Sequence, residues 1–167
     1  MNKTLAKIDN LIMGQSMKDE VKKIFLEYAD KKPVTADKNK YSVMGNNKLI
    51  IAIDFDNTIV EPLYPEIGVL KANCKRIINK WHESGHKIII NTCRAGKYHG
   101  DCDKFLSQNG ISFDYINCNL PEMIIFYKAD TRKISADVYI DDRNIGGIPD
   151  WLGIEKMMDN LFLEYVE

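Results

Sequence analysis

At 167 residues the chain has room for one hydrophobic core and a short appendage, and its 45% hydrophobic and 28% charged residues exclude a disordered or fibrous class. A formal net charge of -1 argues against the strongly basic footprint of a dedicated nucleic-acid binder. Four cysteines, Cys74, Cys93, Cys102 and Cys118, without a Cys-x-x-Cys pair or a close Cys/His cluster, give neither a zinc site nor a disulfide framework.

Residues 1–30 read as two short helices. Leu5, Ile8 and Ile12 recur at helical spacing, Gly14 interrupts, and Ser16 with Asp19 forms a capping-box-like start to a second helix. There Val21, Ile24, Phe25 and Tyr28 share one face, opposite Lys18, Lys22 and Glu27. That face needs cover from the main domain, a partner or a second copy, so a homo-oligomer formed through these helices is one expectation. Residues 30–47 are polar and lysine-rich, a linker that divides the chain into an appendage, 1–47, and a main domain, 48–167. Residues 1–48 carry ten lysines against six acids, leaving the acidic excess in the main domain. Leu11-Ile12-Met13 is too short for a signal peptide and no apolar run reaches the length of a membrane span, so the expectation is a cytoplasmic protein with no membrane contact.

An apolar run at 49–53 then predicts a strand buried on both faces. Asp54 and Asp56 follow it. Residues two apart on a strand point to one side, so these carboxylates converge where open α/β sheets bind their ligands. Their repulsion asks for a divalent cation, and with it chemistry on an anionic substrate. The run Asp54-Phe55-Asp56-Asn57-Thr58 after an aliphatic strand resembles the first signature of the haloacid-dehalogenase-like phosphohydrolases. The resemblance implies Asp54 as nucleophile and Asp56 as acid/base, with Asn57 and Thr58 beside the substrate. Residues 61–68, EPLYPEIG, hold two prolines and are neither a regular helix nor a central strand; in the family this position is a flap, and here it is too short for a large cap.

A helix from 69 to about 84, carrying Val69, Cys74, Ile77, Ile78 and Trp81, leads to a second strand over 87–91. Thr92 at its tip matches the family's second motif, a neutral donor to a phosphoryl oxygen. Arg94 is a candidate substrate contact, since guanidinium grips phosphate with two hydrogen bonds. A helix at 99–108 and a strand at 113–117 follow. Residues 121–128 read either as a helical turn or as an insertion over the site. Lys133, with Lys128 as its competitor, fits the third motif, and Asp141-Asp142 at the end of a strand over 136–140 fit the fourth. Residues 143–151 form a glycine-rich loop, and a closing helix over 154–165 presents Ile154, Met157, Met158, Leu161 and Tyr165.

Spanning residues 48–153, the resemblance implies a three-layer α/β/α, Rossmann-like fold with a central parallel sheet, the Asp54 strand lying between those bearing Thr92 and Asp141. It further implies a Mg²⁺-dependent phosphomonoester hydrolase that acts through an aspartyl phosphate. Asp54, Asp56 through its carbonyl, and Asp141 would hold the ion, with Asp142 as the second choice. The expected partner is a phosphorylated small molecule, nucleic acid being less favoured. A phosphate-binding regulatory module with vestigial catalysis and a nucleotide or nucleic-acid end phosphatase are the alternatives.

Overall fold

The apolar run before Asp54 is buried on both faces, as its lack of alternation predicts. The computed structural model describes residues 48–164. The two amino-terminal helices, the linker and Tyr165 therefore lie outside the described residues. Four strands, β1 (Ile50–Ile53), β2 (Lys87–Ile90), β3 (Tyr115–Ile116) and β4 (Val138–Ile140), form one parallel sheet in the order β3-β2-β1-β4. Four helices connect and close it: α1 (Cys74–Glu83), α2 (Lys97–Gln108), α3 (Pro121–Tyr127) and α4 (Trp151–Glu164). The architecture is the α/β, Rossmann-like one expected.

Alternation along β1 divides the core. Ile51 and Ile53 join Ile88, Ile90 and Ile140 on one face, where α1 lays down Cys74, Ile77, Ile78 and Trp81, α2 adds Cys102 and Leu106, and α4 adds Trp151, Ile154 and Met158. Ile50, Ala52 and Ile89 point to the other face, covered by Leu120, Met123 and Ile134. The three layers are thus unequal, with three helices on one side and the seven-residue α3 on the other. Right-handed crossovers require α1 and α2 on one face and α3 on the other. The chain steps outward from β1 to β2 to β3 with helices on one face, then returns past β1 to β4 across the opposite face. The direction of winding reverses between β1 and β4, and such a switch point opens a crevice at the carboxyl ends of the strands.

Several boundaries differ from those expected. Residues 69–73 are not helical, because Val60 pairs with Leu70, the Glu61 N–H donates to the Val69 carbonyl, and Asn73 sits at φ 67°. Val69 is consequently 73% exposed rather than part of an apolar face. Residues 121–127 form a helix with Pro121 in its first turn and Met123 in the core, not an insertion. The last helix starts at Trp151, three residues early, because Asp150 caps it: its Oδ1 accepts from the Gly153 N–H at 2.8 Å. Met157, placed on the apolar face, is exposed.

Candidate active site

Register sets the first two carboxylates side by side. Ile53 pairs with Ile140, and the Asp54 N–H donates to the Ile140 carbonyl at 2.9 Å, so Asp54 and Asp141 leave adjacent strands at the same level. Asp142 follows. One oxygen from each of Asp54, Asp141 and Asp142 lies within 4.8 Å of the others, and all three residues are partly buried. Burial chiefly, and the Asp141 and Asp142 charges in addition, push the Asp54 carboxyl up to about 6, against the lowering effect of its hydrogen bond from Thr58. Three oxygen donors carrying surplus negative charge in a half-buried crevice fit a hard divalent cation such as Mg²⁺. Asp142 belongs to this group together with Asp141.

Thr58 and Asn57 hold the group together. The Thr58 hydroxyl donates to Asp54 Oδ2 at 3.0 Å and accepts from the Asp142 N–H at 3.2 Å, and its carbonyl accepts from Trp151 Nε1 at 2.9 Å. Buried and engaged on every side, Thr58 braces the carboxylates and is not open to a substrate. Asn57, at φ 57°, donates its amide to Asp142 Oδ2 at 2.9 Å. Lys71 Nζ donates to the Asn57 carbonyl at 2.6 Å and to its Oδ1 at 3.2 Å. Lys71 has no counterpart in the sequence reading, since nothing in its neighbourhood marks a lysine fourteen residues away as Asn57's partner.

The Asp56 side chain stands outside the cluster because Arg94 takes it. Arg94 Nε donates to Oδ2 at 2.8 Å and Nη2 to Oδ1 at 2.7 Å, a forked pair. Two further guanidinium hydrogens go to the carbonyls of Pro65 at 2.9 Å and Glu66 at 2.7 Å, tying the 61–68 loop to the floor of the site. At 2% exposure, with four of its five guanidinium hydrogens engaged, Arg94 is not the open substrate contact the sequence suggested; it positions Asp56 and the flap. The flap is a pinched loop: a Cβ on Gly68 would stand 2.0 Å from the Glu61 carbonyl oxygen, so only glycine fits where its ends close.

Thr92 lies at the tip of β2 as expected, nearly buried. Its backbone is gripped from β3, the N–H donating to Asn117 Oδ1 at 2.8 Å and the carbonyl accepting from Asn117 Nδ2 at 2.7 Å. Its hydroxyl oxygen accepts from the Arg94 N–H at 3.1 Å, which leaves the hydroxyl proton for another acceptor. Lys133 is not brought to Asp54. It is exposed, with Nζ 5.1 Å from the centre of the Tyr139 ring, and Tyr139 belongs to the opposite face of the sheet from Ile140. Lys128 is exposed at the end of α3. Among the described residues neither lysine forms an ion pair with the acidic group.

Neither a family model nor a curated protein matches the sequence. Among solved structures, the chain is similar to a conserved protein from Bacteroides thetaiotaomicron, 34% identical, with a TM-score of 0.62 over 68% of this chain and 91% of that one. No helix among the described residues is long and apolar enough to cross a membrane.

Proposed function

The chain belongs to the same family as this conserved Bacteroides thetaiotaomicron protein, and we propose that it is a Mg²⁺-dependent phosphomonoester hydrolase of the haloacid-dehalogenase-like type, working through an aspartyl phosphate. The observation that carries the reading is the meeting of Asp54 with Asp141 and Asp142 at the switch point of a parallel sheet. Such a crevice suits an anionic ligand only when a cation is bound as well. A Mg²⁺ ion held by Asp54, Asp141 and Asp142 would supply the charge that offsets both the carboxylates and a phosphoryl group.

Asp54 attacks phosphorus through a carboxylate oxygen, and the bond to the leaving oxygen breaks. Asp56 delivers the proton that this oxygen needs, then takes one from the water that hydrolyses the aspartyl phosphate. Arg94 fixes the direction in which Asp56 faces. Each Asp56 oxygen accepts one guanidinium hydrogen and keeps a second lone pair for the exchanged proton. The Thr92 hydroxyl donates to a phosphoryl oxygen, and Asn117 holds the strand tip that presents it. Lys133 and Lys128 make no ion pair with the acidic group among the described residues, whereas Lys71 reaches it through one Asn57 amide bonded to Asp142.

The test is release of phosphate from an aryl phosphate by the full-length protein. Turnover is expected with Mg²⁺, its loss in excess EDTA, and its loss in Asp54→Asn. Full activity in EDTA would overturn the mechanism, and near wild-type turnover by Asp54→Asn would move the nucleophile elsewhere.

A further inference from the structure

Beside the carboxylates stand two tyrosines that neither the core nor the proposed chemistry uses. Tyr64, on the flap, is 65% exposed, and Tyr98 lies partly covered in the first turn of α2. Their ring centres are 5.6 Å apart with the planes at 57°. Beneath Tyr64 lies Arg94, whose guanidinium carbon is 5.3 Å from the ring centre. That guanidinium also forks onto Asp56 at 2.7 and 2.8 Å. The ring therefore sits one guanidinium away from the residue that would serve the leaving oxygen. It is also held at a fixed height, because the Pro65 and Glu66 carbonyls that follow it in the chain accept from Arg94. Lys97 Nζ lies 5.1 Å from the Tyr98 ring centre.

We propose that Tyr64, with Tyr98 beside it, is a stacking platform for the leaving group of the substrate, and that this group is a nucleoside, the substrate being a nucleoside monophosphate. The proposal rests on the phosphatase reading, which places the phosphoryl group at Asp54 and its leaving oxygen toward Asp56. Position is the first argument. A phosphoryl group at Asp54 with its leaving oxygen toward Asp56 directs the rest of the molecule to the Arg94 and Tyr64 side. The second is the electronic character of the ring. A cation against one face draws π density toward itself, leaving the outer face poorer in electrons. Such a face is ill suited to the C–H groups of a sugar or to a second cation, and better suited to the flat π surface of a base. The third is economy of cover. A short pinched flap cannot enclose a substrate, whereas one backed aromatic ring can hold a base from a single side.

Binding and turnover are read separately on the full-length protein. For binding, adenosine monophosphate, uridine monophosphate and ribose 5-phosphate are titrated calorimetrically with Mg²⁺ into Asp54→Asn. The nucleotides are expected to bind roughly 10-fold or more tightly than the base-free sugar phosphate, the size of one base stacked on one aromatic ring. Adding Tyr64→Leu, which keeps an apolar side chain but removes the π face, should bring that ratio close to one. Tyr64→Trp should keep it. Equal affinities in the parent protein, no binding of any of the three, or an unchanged ratio in Tyr64→Leu would each overturn the platform. For turnover, the kcat/KM of the unmutated enzyme should favour the nucleotides by a similar factor. Hydrolysis of all three with no preference would leave the phosphatase standing and remove the platform. The expected binding ratio without hydrolysis of any of them would do the reverse.

Discussion

Lys71 and Asn57 show how a single contact sets a site from a distance. An asparagine amide can present either its oxygen or its nitrogen to a neighbour, and Asp142 is served only by the nitrogen. Lys71, as a pure donor, binds Oδ1 and so fixes Nδ2 toward the carboxylate. Lys71→Met removes that constraint while keeping most of the side-chain volume. The apparent Mg²⁺ affinity should fall by roughly 10- to 100-fold, the usual cost of losing a partner that orients a metal ligand, with kcat at saturating Mg²⁺ largely kept. A Mg²⁺ titration of activity measures both, and Lys71→Arg should recover part of the affinity. If the midpoint does not move, Lys71 braces the loop without tuning the ion. Arg94 teaches the same lesson from the sequence side. Read locally, it is an arginine after a strand, equally fit for a substrate or the surface. Its carboxylate lies thirty-eight residues back, and only the pairing of β1 with β2 brings the two together.

At the level of elements, the parts that could be read in advance are those whose reason is local. β1 and β2 announce themselves as aliphatic runs, and α1 by its apolar spacing through Cys74, Ile77, Ile78 and Trp81. Asp54, Thr92, Asp141 and Asp142 were legible because each ends a strand, and parallel register levels strand ends automatically. What failed was non-local. Lys133 was placed by its order in the chain, but order does not say which face of the sheet a side chain joins, and Tyr139 draws it away from the crevice. The non-helical 69–73 stretch looked helical because Val60, the antiparallel partner of Leu70, lies across the flap. That flap neck supplies an element-level test. In Gly68→Ala the new methyl group meets the Glu61 carbonyl at 2.0 Å, and backbone cannot swing aside as a flexible side chain would. The variant should lose about 1–3 kcal/mol in chemical denaturation, the common cost of forced overpacking. The strain should spread through Pro65 and Glu66 to Arg94, so that kcat falls as well. A fully stable, fully active Gly68→Ala protein would show that the neck opens freely.

For the molecule as a whole, a buried group and a partly buried one make stability depend on pH in opposite senses. His86 accepts from the Leu49 N–H through Nδ1 at 3.1 Å and stacks on Phe162 with 4.4 Å between ring centres, joining β1, β2 and the end of α4. Burial first, and the Lys48 charge second, hold its folded-state value below the ordinary 6.5. Between those two values the unfolded chain binds more protons, so the contribution is complete above about 6.5 and is lost as pH falls through the folded value. Asp54 behaves in reverse. Its carboxyl is raised from 3.8 to about 6, so without a cation the stability it confers is present below 3.8 and drains away as pH rises to about 6. A bound divalent cation stabilises the ionised form that burial penalises, and ligand binding to the folded state alone raises stability by mass action. The gap in Tm between Mg²⁺ and EDTA should therefore be small near pH 4.5 and widen as pH climbs through about 6. Groups that do not feel the cation, His86 among them, cancel in that difference. Asp54→Asn should raise Tm in EDTA at pH 7.5 and flatten the gap, whereas His86→Asn, which can still accept from Leu49, should soften the acid-side fall and leave the gap intact. Melting curves in paired Mg²⁺ and EDTA buffers from pH 4.5 to 8 measure all of this. A gap that does not change with pH in the wild type would mean that Asp54 is not among the carboxylates that hold the ion.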